Sequence, residues 1–210
     1  MKKIKTPLIV SGVILASLAL FAFRYYIGRS HNIRIKTDEF IITTPTKTLS
    51  KKVVFLWGGI NYATPEWMMS QIPDTLLNKY TFVILKYDTP IHKAYETYRV
   101  EFKKEPEAAK LMLIGFSAGA KIPQNNYSSI YHLIGLIDPS TTPYLASIDY
   151  GENTILTYNV NNWSSVYKSF DYKEAYEELE KNVLKGGGKA ENIDLRHKEF
   201  VKYFFENYIK

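Results

Sequence analysis

Short runs of consecutive apolar residues alternate along this chain with longer stretches in which apolar residues recur every three or four positions. Runs of four to six apolar residues are typical of strands that are buried on both faces of a sheet, and the longer pattern is typical of amphipathic helices. The predicted strands are Lys52–Trp57, Thr81–Tyr87, Leu111–Ile114, Tyr131–Ile137, Thr154–Val160 and Glu191–Leu195. Strands that alternate with helices predict a three-layer α/β domain with a mostly parallel sheet.

The stretches between these strands carry helix signals. Thr64 and Pro65 are a cap and a first-position proline, and Pro73 is expected to break the helix that they begin. Further helices are predicted over residues 91–104, 118–129, 171–185 and 197–209. Before the first strand, residues 32–44 alternate apolar and polar positions, which predicts a hairpin at the edge of the sheet.

The amino-terminal segment differs from the rest of the chain. Residues 7–23 are uncharged and mostly apolar after the basic lead of residues 1–5, about the length of a membrane span. A secretory signal peptide begins in the same way, but this segment fits a small-x-small cleavage site poorly. We therefore expect residues 1–30 to be a single-pass membrane anchor and residues 31–210 an α/β domain outside the cytoplasm.

The composition excludes several kinds of functional site. The chain has 210 residues, a net charge of +6 and no cysteine, and its four histidines are widely separated. Disulfides, thiolate metal sites and a cysteine nucleophile are excluded, and no metal or other cofactor is predicted. The lysines are scattered rather than clustered with aromatic residues, so we expect no nucleic-acid partner. The oligomeric state stays open.

Chemistry is most clearly indicated at Gly115-Phe-Ser-Ala-Gly119, which directly follows a buried strand. Flanking glycines permit a sharp turn from strand to helix that presents the Ser117 hydroxyl, and the amide of Ala118 can face an oxyanion. A second pair of glycines, Gly58 and Gly59, follows the strand Lys52–Trp57 and predicts further oxyanion-hole amides. The alternative is that both stretches are only tight loops.

A serine nucleophile needs a base and an acid, and in parallel sheets these groups emerge where the strands end. His197 follows the last predicted strand and is the best-placed base. Asp138 ends the strand after the serine helix and is the predicted acid. The end of the next strand, Thr157-Tyr-Asn-Val-Asn-Asn-Trp163, offers only asparagines, whose amides could bond an imidazole but could not stabilise an imidazolium by charge. The remaining acid candidates are Asp149, Asp171 and Asp194.

Residues 51–210 resemble the α/β-hydrolase fold family of serine esterases and lipases. The matching pieces are Trp57-Gly-Gly59, Gly115-Phe-Ser-Ala-Gly119, Leu136-Ile-Asp-Pro139 and Arg196-His-Lys-Glu-Phe200, in the family's order of serine, acid and histidine. The resemblance implies Ser117 as nucleophile, Asp138 as acid in the arrangement that some lipases use after the sixth strand, and His197 as base. Trp57 stands where many lipases carry histidine, which would change the wall of the cleft.

Two classes of function follow. One is a membrane-anchored serine hydrolase that cleaves carboxylic esters, with lipids among the candidate substrates, through an acyl-enzyme; an acyltransferase or a thioesterase would use the same residues. The other is a membrane-tethered domain that keeps the fold only for binding. Its supporting features are the asparagines at the commoner acid position and Pro123, which interrupts the helix after Ser117.

Overall fold

The computed structural model describes residues 33–45, 50–140, 148–164 and 172–210. Within them, eight strands form one sheet in the order β1-β2-β4-β3-β5-β6-β7-β8. β1 pairs antiparallel with β2, as does β2 with β4, and the other neighbouring pairs are parallel. The predicted edge hairpin and the mostly parallel sheet are confirmed. The strands are β1 (Ile33–Lys36), β2 (Phe40–Thr43), β3 (Val53–Trp57), β4 (Thr81–Leu85), β5 (Leu111–Phe116), β6 (Leu133–Ile137), β7 (Thr154–Tyr158) and β8 (Lys189–Asn192).

Helices cover both faces of this sheet. They are α1 (Pro65–Gln71), α2 (Asp74–Leu77), α3 (Ile91–Phe102), α4 (Lys121–Asn125), α5 (Asn161–Ser164), α6 (Tyr172–Lys185) and α7 (Phe200–Tyr208). Residues of α1, α2 and α7 share one buried cluster with one face of the strands, and residues of α3 and α6 share a second cluster with the other. The domain is therefore three-layered, as the alternation of strands and helices predicts.

β5 shows how one apolar run serves both layers. All of its residues are buried, and successive side chains point to opposite faces. Met112 and Ile114 join the cluster under α1 and α7, whereas Leu111 and Leu113 join the cluster under α3 and α6. A strand buried on both faces needs such a continuous apolar run, and its end carries the Gly-x-Ser-x-Gly motif to the edge of the sheet.

Prolines set two helix boundaries near this edge. Thr64 caps α1 by accepting a hydrogen bond from the amide of Trp67, and the helix ends before Pro73, as predicted. The helix predicted over residues 118–129 is wrong in length: a 3₁₀ turn, Ser117–Ala120, leads into α4, which ends at Asn125. Pro123 lies inside α4 and has no N–H to donate to the carbonyl four residues back, so the chain cannot continue a regular helix from the serine.

The predicted membrane anchor, residues 1–30, lies outside the described residues and stays a prediction. Among the described residues, no helix combines the length and the apolar character that crossing a bilayer requires.

Candidate active site

Ser117 lies at the first position after β5, in a conformation that side chains rarely adopt. Its φ is 55°, in the left-handed region, and its side chain is largely buried. The chain reverses so closely here that a Cβ on Gly119 would lie 2.0 Å from the carbonyl oxygen of Gly58. A glycine is therefore required at position 119, and the turn holds Ser117 against the loop after β3.

Asp138 shares this strained conformation at the end of the neighbouring strand. Its φ is 39°, and its side chain is fully buried. The amide of Ser140, two residues on, donates to the carbonyl of Ser117 at 3.2 Å, which ties the turn after β6 to the turn after β5. Left-handed non-glycine residues cost free energy and are concentrated at functional sites. Two predicted members of the site are thus held in strained backbone on adjacent strands.

The side chains of Asp138 and His197 are bonded to each other. Oδ2 of Asp138 lies 2.5 Å from Nδ1 of His197. The carboxylate is inaccessible to solvent, whereas 23% of the histidine side chain is exposed, so the imidazole faces the open side of the pair. A buried carboxylate that receives Nδ1–H fixes the ring orientation and directs Nε2 away from the acid.

His197 is held beside the nucleophile turn by its neighbours. Its ring stacks on the ring of Phe116, the residue before Ser117, with centroids 4.5 Å apart and an interplanar angle of 28°. Arg196 and Glu199 close a cap around the 3₁₀ turn that begins at His197: the Arg196 amide donates to Glu199 at 3.0 Å, and the guanidinium donates to the same carboxylate. Asp138 and His197 therefore lie beside the turn that presents Ser117, at one end of the sheet.

Two asparagines complete the surroundings of Asp138, although from the sequence alone they are only poor replacements for an acid. The backbone amide of Asn159 donates to Oδ1 of Asp138 at 3.1 Å, and Nδ2 of Asn162 donates to Oδ2 at 2.8 Å. With His197, three N–H donors converge on this buried carboxylate. These bonds use both oxygens of Asp138 and fix the position of its side chain.

The predicted oxyanion-hole residues have different roles. A Cβ on Gly59 would lie 2.9 Å from Cβ and 3.2 Å from Oγ of Ser117, so the Gly59 backbone passes directly over the nucleophile. Its amide donates to no backbone carbonyl among the described residues. Ala118 is the second residue of a 3₁₀ turn, where an amide has no acceptor within the helix. Both amides are suitable donors to an oxyanion.

Gly58 departs from the expectation that it lines the oxyanion hole. Its amide already donates to the carbonyl of Leu85 at 3.0 Å, as an extension of the pairing between β3 and β4. Trp57 departs from the expected cleft wall in the same way: its ring is fully buried and its Nε1 donates to the carbonyl of Thr89 at 2.7 Å. Both residues anchor the loop after β3 and do not line the site.

The other candidates for base or acid have different surroundings. Asp149 is exposed, and Asp194 accepts a hydrogen bond from Asn159 at 3.4 Å. His132 is bonded to Lys52, with 2.8 Å between its Nε2 and the lysine Nζ; burial, and then the charge of Lys52, lower the pKa of His132. Asp171 lies outside the described residues.

Tyr62 is a further residue of the site that sequence reasoning missed. Its ring meets the imidazole of His197 edge to face, with centroids 6.4 Å apart, and its hydroxyl is buried without a hydrogen-bond partner among the described residues. Burial, and to a smaller extent the negative charge of Asp138, raise the pKa of Tyr62 to about 12. In the sequence, the only indication that Tyr62 belongs to the site is its position three residues after Gly59.

An open groove borders this part of the molecule. It has a volume of about 390 Å³ and runs between α1 and α7, where Trp67 and Leu195 supply apolar surface and Lys198 supplies a positive charge. Trp67 also packs on Phe116, with ring centroids 5.7 Å apart, and Leu195 lies two residues before His197. The groove is therefore next to the candidate active site.

Comparison with known proteins supports the architecture. No protein-family model matches the chain, and no curated protein matches it by sequence. Among solved structures, a protein assigned as a carboxylesterase from Lactobacillus plantarum is 12% identical, with a TM-score of 0.53 over 84% of this chain and 92% of its own. Thermogutta terrifontis esterase 2, phosphoramylated by tabun, is 12% identical, with a TM-score of 0.52 over 79% of this chain and 83% of its own. The chain therefore has the α/β-hydrolase fold.

Proposed function

We propose that this protein is a serine hydrolase that cleaves carboxylic esters through an acyl-enzyme. The observation that carries the proposal is the bond between Asp138 and His197 beside the turn that presents Ser117. A buried carboxylate, a partly exposed imidazole and a serine hydroxyl are the three groups that nucleophilic acyl transfer uses. Strained backbone at both Ser117 and Asp138 supports the same interpretation, because strain of this kind is concentrated at functional sites.

In the proposed mechanism, Nε2 of His197 takes the proton of Ser117 Oγ as this oxygen attacks the ester carbonyl. The amides of Gly59 and Ala118 donate to the oxyanion of the tetrahedral intermediate. His197 then gives its proton to the departing alcohol, and the carboxylate of Asp138 stabilises the imidazolium between these two steps. Water, activated by the same imidazole, attacks the acyl-enzyme, releases the carboxylic acid and restores Ser117.

Esters are the favoured substrates for two reasons. Both structural matches named above are proteins whose names describe esterases, although a likeness at 12% identity reaches only to the fold. The groove beside the site is open, and Trp67 and Leu195 give it apolar surface that suits the acyl or alcohol part of an ester. Lipid esters are candidate substrates as well if residues 1–30 hold the domain at a bilayer.

We also propose that residues 1–30 anchor the protein in a membrane, with the domain outside the cytoplasm. Residues 7–23 have the length and apolar character of a span. Carbonate extraction of cells that express the full chain tests this: we expect it to stay in the membrane pellet and to move to the supernatant when Leu15 and Leu18 are both changed to lysine. Recovery of the unchanged chain in the supernatant would contradict an anchor.

An activity-based probe tests the hydrolase directly. A fluorophosphonate that carries a fluorophore forms a covalent adduct only with an activated serine, so we expect labelling of the full chain and none of Ser117→Ala. Ser70, an exposed serine on α1, provides the matched control, because Ser70→Ala should label like the unchanged chain. A folded protein that neither labels nor hydrolyses short-chain p-nitrophenyl esters would instead be a binding protein with the same fold.

A further inference from the structure

The end of β7 carries two amide side chains that join the acid to the segment bearing the base. Asn162 donates from Nδ2 both to Oδ2 of Asp138 at 2.8 Å and to the carbonyl of Leu195 at 3.1 Å. Leu195 lies two residues before His197. One amide group therefore contacts the carboxylate and the segment that carries the imidazole, and it shares with His197 the same oxygen of Asp138.

Asn159 makes the same connection in a different way. Its backbone amide donates to Asp138, whereas its side chain donates to the carbonyl of Leu195 at 3.1 Å and to Asp194 at 3.4 Å. Oδ1 of Asn159 accepts from the amide of Asn161 at 2.9 Å, so the oxygen and nitrogen of this side chain are both used. Substitution of Asn159 would loosen the segment before His197 but would leave the backbone donor to Asp138.

These contacts matter because Asp138 and His197 do not lie on neighbouring strands. Asp138 ends β6 and His197 follows β8, and β7 lies between these two strands in the sheet. The carboxylate and the imidazole therefore meet across the end of β7, where no backbone pairing holds one to the other. A side chain at the end of β7 that donates to both sides can fix their distance.

We propose that Asn162, assisted by Asn159, is a positioning residue that holds the Asp138 carboxylate and the His197 segment in bonding distance. The amide type is required, because a positioning group here must donate to two acceptors, a carboxylate oxygen and a carbonyl oxygen. The inference rests on the proposed function for its effect on turnover, but its structural part concerns only the bond between Asp138 and His197.

Two variants of Asn162 test the role of its side-chain donors. Asn162→Asp keeps the shape of the side chain, removes both donors and brings a second carboxylate against Asp138, where like charges repel. Asn162→Ala removes the donors without adding charge. We expect kcat for a short-chain p-nitrophenyl ester to fall about tenfold or more in Asn162→Ala and further in Asn162→Asp, with KM changed less than about twofold. Asn159→Ala should have a smaller effect, and the exposed Asn192→Ala on β8 none.

A readout that needs no turnover is the low-field proton resonance of His197 Nδ1–H in the full chain, assigned by its loss in His197→Gln. We expect it to broaden through exchange with water in Asn162→Ala and Asn162→Asp, and to persist in Asn192→Ala. If the unchanged chain does not hydrolyse esters but the resonance still responds in this way, the proposed function falls and the positioning role stands.

The opposite result overturns the inference. An unchanged resonance in both folded Asn162 variants would show that the bond between Asp138 and His197 forms without the amide, whatever the turnover. If Asn162→Ala does not fold, Asn162→Leu decides, because leucine has a similar size but neither a donor nor a charge. A space-filling residue predicts a resonance and a kcat like those of the unchanged chain, and a positioning donor predicts the loss of both.

Discussion

Oδ2 of Asp138 and Nδ1 of His197 lie 2.5 Å apart although the two residues are separated by 59 positions in the chain. The contact is possible because β6 and β8 both pair with β7, so the segments after them converge above its end. The candidate acid therefore follows β6, and amide groups at the end of β7 donate hydrogen bonds to it. Removing the charge of Asp138 is therefore the most direct test of this contact.

Asp138→Asn keeps the size and shape of the side chain and removes the charge that stabilises the imidazolium. The amide also presents a donor where a carboxylate accepted, so the neighbouring Asn162 amide and His197 Nδ1–H lose an acceptor. We expect kcat for ester hydrolysis to fall by about 10³ to 10⁴ with little change in KM, measured by steady-state kinetics.

Asp149→Asn is the matched control for this substitution. Asp149 is exposed on the described part of the chain and was an alternative acid, so the same chemical change there should leave kcat as it is. If Asp138→Asn retained more than about a tenth of the activity, imidazolium stabilisation by Asp138 would be refuted.

The strained backbone of Ser117 predicts that the position of the hydroxyl is achieved at the expense of stability. At a φ of 55°, a Cβ is strained and a glycine is not. We therefore expect Ser117→Gly to have a free energy of unfolding about 1 kcal/mol greater than that of Ser117→Ala, measured by urea denaturation, while both are inactive. At Ser70, inside α1, the order should reverse, with the glycine variant the less stable by up to about 1 kcal/mol. The same order at both positions would mean that Ser117 is not strained.

Much of this fold can be read from local patterns. The apolar run Val53–Trp57 and the capped start of α1 at Thr64 lie where the sequence predicts them, because burial on both faces and a first-position proline act over a few residues. Ser117, Asp138 and His197 were likewise identifiable, since each follows a predicted strand and the ends of parallel strands share one edge. The structure brings these three residues to that edge.

The remaining features depend on contacts between distant segments. Nothing local to Gly58 indicates that its amide pairs with Leu85, because that bond depends on how β3 and β4 are aligned. From the sequence alone Asn162 is only a poor substitute for an acid. Its positioning role is not visible there, because its two acceptors come from Asp138 and Leu195, far away in the chain. Such roles require the assembled sheet, in which donors and acceptors from three segments are matched.

Gly59 is predicted to tolerate no side chain. A Cβ there would lie 2.9 Å from Cβ of Ser117, closer than such atoms approach in proteins, so Gly59→Ala must displace either the nucleophile or the amide above it. We expect a loss of kcat of about a hundredfold, with the rate of fluorophosphonate labelling reduced in parallel, in a variant whose folding is verified by its thermal unfolding. Unchanged labelling in Gly59→Ala would show that the loop after β3 is not part of the reacting centre.

Tyr62 is expected to make the free energy of unfolding depend on pH in the alkaline range. Its pKa is raised to about 12, first by burial and then by the charge of Asp138, whereas tyrosine in an unfolded chain ionises near pH 10. Between about pH 10 and 12 the unfolded chain therefore loses a proton that the folded chain retains, and the free energy of unfolding decreases as the pH rises. Below about pH 10 the hydroxyl is protonated in both states and this contribution to stability is fully present.

Tyr62→Phe removes this ionisation, so we expect its free energy of unfolding to decrease less steeply with pH than that of the unchanged chain. Urea denaturation at several values between about pH 9 and 11 measures the two slopes. The slope is reduced and not abolished, because burial also raises the pKa of Tyr95, Tyr150 and Tyr158. Tyr87→Phe, at an exposed tyrosine, is the control. Equal slopes in the two variants would mean that the Tyr62 hydroxyl is not held in a buried environment beside Asp138.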